Sequence, residues 1–316
     1  MAAVSELRQP RGTAFALRDP LPWQDLVAIV RAGEQSGYAA LFLPEIAGRD
    51  ALATLAMLGG ETRDLLLGTG VAPMTSRTTM LTAMAAATVQ ERSRGRLLLG
   101  LGTGDAGRGA LERLRAEVVA LRALLGGEAV ELDGERARLS LDPGSPVPIW
   151  ISALGPKAMR LAGELADGVI LNWCPPERVA FARERIAEGA ELAGRDPADV
   201  ALSVYVRAWV GEDSSAAMPA LKAATGEYMS YPAYARQVEQ VGLGDLAHAA
   251  AQAFRAGRLE DVPESLVRAI CAIGDGAFDH VEAYRRAGAD LPVVYPVAAG
   301  DTAASIEATV MALAPI

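Results

Sequence analysis

The chain is 316 residues long, 51% hydrophobic and 22% charged, which supplies a large buried core and suits one β/α barrel. Thirty basic against thirty-nine acidic residues leave a formal charge of −9, so the basic footprint of a nucleic-acid binder is missing. An anionic cofactor is still admissible, because a local cradle of amides with one or two cations is enough to hold one.

Cys174 and Cys271 stand far apart with no CxxC spacing, and the two histidines, His248 and His280, both fall in the C-terminal third, so no metal site is expected. Met1 to Gln9 contain no apolar signal-peptide core, and no run approaches about 18 uninterrupted apolar residues. A cytoplasmic protein that does not engage membranes is the expectation.

Apolar runs of strand length recur at Thr13–Leu17, Ala39–Leu43, Leu65–Val71, Leu97–Leu101, Val147–Ala153, Gly168–Trp173, Ala201–Val210 and Leu291–Val297. Their continuous apolar character suits parallel strands buried on both faces. Helical stripes lie between them. Trp23, Leu26, Val27 and Val30 form one, opened by Pro20 and Pro22 and closed by Gly37. Leu111, Leu114, Val118, Leu121 and Leu125 form another, and Ile306, Val310 and Leu313 form the last. Eight strand–helix units in this length predict a (β/α)8 TIM barrel, with the whole chain as a single domain.

Two segments break the alternation. Residues 128–141 carry a central Asp133-Gly134 pair and predict a β-hairpin inserted before the fifth strand. Residues 211–275 are polar, rich in alanine and helical in pattern, and predict a helical insertion after the seventh strand.

Four stretches fall where a barrel places its ligand loops: residues 68–73, 100–105, 153–157 and 167–173, the last being itself the next strand. GTGDAG over residues 102–107 is a literal G-x-G-x-x-G after a strand, with Glu128 and Glu131 downstream. It allows a dinucleotide-binding reading, but those acidic residues lie in the predicted hairpin and the unit is fourth in its series. The glycines also allow a plain tight turn. In ALGPK over residues 153–157, Gly155 opens the backbone and Pro156 suits a first helical position, so free N–H groups and the helix dipole would face a ligand. Lys157, one of two lysines in the chain, is unfavourable beside that positive end unless an anion binds there; the alternative is an ordinary surface lysine.

Gly70 and Val71, with Ala72 after them, end the third strand and suggest a bulge where backbone meets ligand, and Arg77 could reach an anionic group. Glu45 and Asp105 follow the second and fourth strands, where barrel enzymes carry catalytic carboxylates, although such residues are more often simply solvated. Trp173 is a candidate wall for a planar ring, and Cys174 reads as a packing residue.

In order and spacing, LLGTGVAP (66–73), Arg77, residues 85–96 running into LLLGLGTG (97–104), PIWISALGPK (148–157) and LAGELADGVI (161–170) resemble the luciferase-like monooxygenase superfamily. The spacing is similar to its branch that uses the deazaflavin coenzyme F420, such as methylenetetrahydromethanopterin reductases. The resemblance implies a ring-shaped cofactor at the strand C-termini, F420 or alternatively FMN, a small-molecule substrate, and often a homodimer. It implies a non-prolyl cis peptide at Gly70-Val71 backing the ring, and phosphate contacts at Gly155, Pro156 and Lys157 with Gly102 and Thr103 nearby, and Gly104, Ala153 and Leu154 join them as cofactor-binding residues. It matches Asp105 to an acidic residue of the sugar-phosphate dehydrogenases. The histidine those enzymes carry after the second strand is absent: Glu45 and Ile46 stand there, so the implied reaction is a hydride delivered with little acid–base help, or with help from Glu45 or Asp105. Without that histidine, a non-catalytic carrier of the same cofactor is the other reading.

Overall fold

The computed structural model describes residues 13–18, 21–104, 107–211, 213 and 215–315. In chain order the first half contains β1 (Ala14–Ala16), α1 (Trp23–Gln35), β2 (Ala40–Leu43), α2 (Ala51–Leu58), β3 (Leu66–Thr69), β4 (Ala72–Pro73), α3 (Thr79–Ser93), β5 (Leu97–Gly102) and α4 (Ala110–Leu125). Then come β6 (Val130–Leu132), β7 (Glu135–Ala137), β8 (Ile149–Ser152), α5 (Pro156–Leu165), β9 (Gly168–Asn172), α6 (Glu177–Leu192) and β10 (Ala201–Trp209). The remainder is α7 (Met218–Met229), α8 (Pro232–Glu239), α9 (Gly244–Arg255), α10 (Glu264–Ile270), β11 (Cys271–Ile273), α11 (Ala277–Arg286), β12 (Leu291–Pro296) and α12 (Thr302–Ala312).

Eight parallel strands close on themselves in the order β12–β1–β2–β3–β5–β8–β9–β10, the last pairing back to β12. Ala14 faces Val293 across β1 and β12, and Tyr205 faces Asn172 across β10 and β9. All eight strands expected from the apolar runs are present, and the fold is the TIM barrel. A closed parallel ring also removes the dinucleotide-binding alternative, which needs an open sheet. Gly102 ends β5 and α4 begins only after Gly109, so among the described residues no helix starts at the glycine loop.

Alternation along the strands sorts the core into two shells. Outward residues such as Leu41, Leu67, Leu99, Ile151 and Val206 pack under the helices. Inward residues, including Phe42, Leu66, Leu98, Trp150, Ile170, Tyr205 and Val293, fill the lumen. The lumen accepts large rings because glycine faces them: a Cβ on Gly168 would lie 2.3 Å from the Trp150 ring. Phe42 and Trp150 then meet at 5.9 Å, tilted.

The hairpin forms as β6 and β7, with Leu132 opposite Glu135 and both Asp133 (φ 53°) and Gly134 (φ 84°) left-handed, the backbone of a type I′ turn. The insertion after β10 builds its own cluster around Trp173, Trp209, Leu221, Val238 and Val267. Two details depart from the expectation. The third strand does not run on to Val71: it breaks at Gly70-Val71, and β4 resumes beside β5 with Ala72 facing Leu101. The insertion is not wholly helical either, because β10 outlasts its neighbours and Cys271–Ile273 pair with Arg207–Trp209 on its free upper edge.

Candidate functional site at the mouth of the barrel

At the C-terminal rim the Gly70-Val71 peptide is cis, the arrangement the resemblance implied. The bulge is stitched to β2, since Gly70 N–H donates to the Leu43 carbonyl at 2.8 Å and Glu45 N–H to the Val71 carbonyl at 3.2 Å. Glycine is required on both sides of it. A Cβ on Gly102 would lie 2.6 Å from Val71 Cγ2, and one on Gly70 would lie 1.6 Å from the Tyr205 hydroxyl. Burial pushes the Tyr205 phenol far above its ordinary range, so it stays protonated beneath the bulge as a donor.

Gly155 opens α5, has free space where a Cβ would stand, and no side chain caps the helix. First-turn N–H groups therefore remain available to an anion. Behind this loop the fully buried Arg178 donates to the Leu154 carbonyl at 3.2 Å. Thr103 and Ala153 stand on neighbouring strand ends of the same rim, Ala153 tied by its N–H to the Ile170 carbonyl at 3.2 Å. Gly104 (φ 57°) packs against Thr75 of the loop after β4. A glycine-lined floor facing an uncapped helix N-terminus fits a flat ring that carries a phosphate.

The other expected residues are placed less simply. Glu45 accepts from Arg77 Nη1 at 3.3 Å, Ser76 Oγ at 3.1 Å and Ala51 N–H at 3.2 Å. Arg77 also bonds Asp50, the cap of α2, whose carboxyl burial would raise but whose bonds from Ala53 N–H and Arg77 hold below its ordinary value. The pair thus clasps the loop after β2 to the loop after β4, and Arg77 already carries two carboxylates. Lys157 is exposed and lines a groove between α4 and α5 beside Arg115 and Arg160. Asp105 lies outside the described residues.

Trp173 is buried, in a left-handed backbone (φ 52°) that a bulky residue rarely adopts, and its ring stacks on Tyr228 at 4.6 Å. Gln237 of α8 donates to the Asn172 and Trp173 carbonyls at 2.7 and 2.9 Å, which pins that turn. Trp173 is thus packed under the insertion rather than laid bare as a wall.

Sequence reasoning passed over the residues at the centre of the mouth: Asn172, Tyr205, Arg207, Tyr234 and Tyr295. Their signal was present. Ser203, Tyr205 and Arg207 alternate along an otherwise apolar run, which marks a polar stripe on the lumen side of β10. Arg207 Nη1 donates to Asn172 Oδ1 at 2.8 Å, and its guanidinium lies 3.9 Å from the Tyr295 ring centre.

Among known proteins the chain is similar to the 5,10-methylenetetrahydromethanopterin reductase of Methanolobus tindarius, 32% identical over 66% of this chain and 68% of that one. The structure of coenzyme F420-dependent tetrahydromethanopterin reductase from Methanopyrus kandleri superposes with a TM-score of 0.77 at 21% identity, covering 94% of this chain and 96% of that one. The oxygenating constituent of 3,6-diketocamphane monooxygenase from Pseudomonas putida, in complex with FMN, shares the fold with a TM-score of 0.69 at 16% identity over 96% of both chains. With the luciferase-like monooxygenase model matching residues 7–291, the chain belongs to that family.

Proposed function

We propose that the protein is an oxidoreductase that exchanges a hydride between coenzyme F420 and a small organic substrate. The observation that carries this reading is the bulged, glycine-floored rim at Gly70, Val71 and Gly102 facing the uncapped start of α5. A relative from Mycobacterium tuberculosis, an F420-dependent hydroxymycolic acid dehydrogenase 31% identical over 62% of this chain and 61% of its own, supports F420 over FMN, which is the alternative cofactor. The deazaflavin, when bound, supplies the hydride-carrying carbon. What this chain adds is position. The α5 N-terminus would hold the phosphate, the bulge would back the ring, and the insertion would exclude water. Titration of the purified protein with F420, FMN and NAD(H), read by fluorescence quenching, tests this. F420 binding is expected, and binding of NAD(H) alone would sink the claim.

A second reading keeps the cofactor and drops the chemistry. It rests on Glu45, whose oxygens are already engaged by Arg77, Ser76 and Ala51 and are poorly placed to act as a general base. Tight cofactor binding with no turnover across a broad panel of electron acceptors would favour this carrier.

We also infer a cytoplasmic homodimer. Both cysteines are free and buried, which suits a reducing compartment. Leu81, Met84 and Thr88 follow one another along α3, the two apolar side chains are about half exposed, and Thr88 shares a groove with exposed Met57 of α2. Light scattering is expected to give twice the chain mass, and Met84→Glu to halve it; a monomeric wild type overturns the pairing.

A further inference from the structure

Among the described residues only two charged side chains are buried outright, Arg178 and Arg207. Arg178 is committed to the Leu154 carbonyl and the Phe181 ring behind the rim. Arg207 is different. It is 5% exposed on the lumen side of β10, two residues above Tyr205, whose hydroxyl touches the Gly70 carbonyl at 3.4 Å. Two residues along a strand is about 6.6 Å, so the guanidinium sits roughly one layer above the floor assigned to the ring.

Among the described residues, the groups around Arg207 are neutral. Its hydrogen bond goes to Asn172, and rings of Tyr295, Trp173 and Tyr228 stand at 3.9, 4.5 and 5.6 Å. Tyr234 follows, its oxygen 3.5 Å from Asn172 Nδ2. No carboxylate among the described residues pairs with Arg207. A guanidinium has five donors, and a buried cation without a counter-ion is held at a cost that a bound anion removes. Burial, the lack of a carboxylate partner among the described residues and the aromatic shell point the same way.

We propose that Arg207 anchors the carboxylate of a monoanionic substrate whose flat or apolar body lies against the half-buried Tyr228 and Tyr234. The proposal rests on the F420 reading and names the substrate class for that same mouth. One positive charge in a neutral shell balances one negative charge, which selects a carboxylate over a dianionic phosphate. The planar fork matches a carboxylate in two parallel bonds. Tyr228 and Tyr234 come from α7 and α8, so the insertion closes the anion site from above.

The test uses the F420-loaded full chain with benzoate, cinnamate and hexanoate as probes, each beside its primary amide. Wild type is expected to prefer at least one acid over its amide by tenfold or more. In Arg207→Met the preference falls to within about twofold, F420 affinity stays within about threefold, and Tm without probe is not lowered; Arg207→Lys keeps part of the preference. Equal affinity for every acid and its amide in wild type overturns the proposal, as does a preference that survives Arg207→Met. Loss of F420 binding in Arg207→Met, without acid preference in wild type, gives the arginine to an anion of the cofactor and also overturns it. If wild type binds no F420, the cofactor reading fails by itself. The acid–amide comparison then runs on the cofactor-free chain by thermal shift, where an Arg207-dependent acid response supports the anion site and its absence overturns it.

Discussion

Tyr205 and Gly70 fit each other through one missing carbon: the phenol oxygen lies 3.4 Å from the Gly70 carbonyl and occupies the space a Gly70 side chain would need. The contact joins the third and seventh barrel strands across the lumen and sets the height of the bulge above the core. Gly70→Ala would place a Cβ 1.6 Å from that oxygen and 3.3 Å from Phe42 Cβ, so the floor must shift. Cofactor affinity is expected to fall at least tenfold, about 1.4 kcal/mol. Tyr205→Phe in the same background removes the nearest atom and is expected to restore part of the affinity; quenching titrations of both variants check this.

Lys157 faces the positive end of α5 from its first turn, and among the described residues it makes no ion pair. If a phosphate binds the α5 N-terminus, Lys157→Glu turns attraction into repulsion and weakens cofactor binding by more than about 1 kcal/mol. The effect should shrink between 50 and 500 mM salt, roughly as screening predicts. Unchanged affinity would leave Lys157 as a residue of the α4–α5 groove.

Gln237 holds two carbonyls of a left-handed turn from a helix 64 residues away in sequence. Gln237→Leu leaves both carbonyls without this donor, and urea unfolding is expected to show a loss of about 2–3 kcal/mol. The same variant should weaken any ligand held by Arg207, because the loosened turn carries Asn172, its hydrogen-bond partner.

Glu34 of α1 accepts N–H bonds from Arg63, Asp64 and Leu65 at 2.8 to 2.9 Å, closing the bottom of the barrel. Burial alone would raise its pKa, but the three N–H donors hold it below the ordinary 4.5. A carboxylate with a lowered folded pKa adds stability that is complete above the unfolded value and is lost as pH falls through the folded one. Glu34→Gln is therefore expected to be less stable at pH 7 and to lose less on acidification below 4.5 than wild type. Tm measured from pH 7 to pH 3 separates the two curves.

The barrel was legible because its elements are written locally. An apolar run bounded by turn residues specifies a buried strand wherever it lands, and the Asp133-Gly134 turn specifies its hairpin from the two residues that take positive φ. The rim glycines were legible for the same reason: backbone that must approach a ligand needs residues without a Cβ.

Other features were decided only when the ring closed. Whether Glu45 is a free carboxylate depends on Arg77 and Ser76, which the fold brings over from another loop. Whether Trp173 is a wall or a packed ring depends on Tyr228, Tyr234 and Gln237 of the insertion. The sequence by itself determined eight strands, their order of appearance and a glycine-lined rim, since periodicity and turn chemistry act over a few residues. The tertiary structure alone decided that Arg207 is buried without a counter-ion among the described residues. Its charge balance is set by the register of β10 against β9 and by helices folded over it from a distant part of the chain.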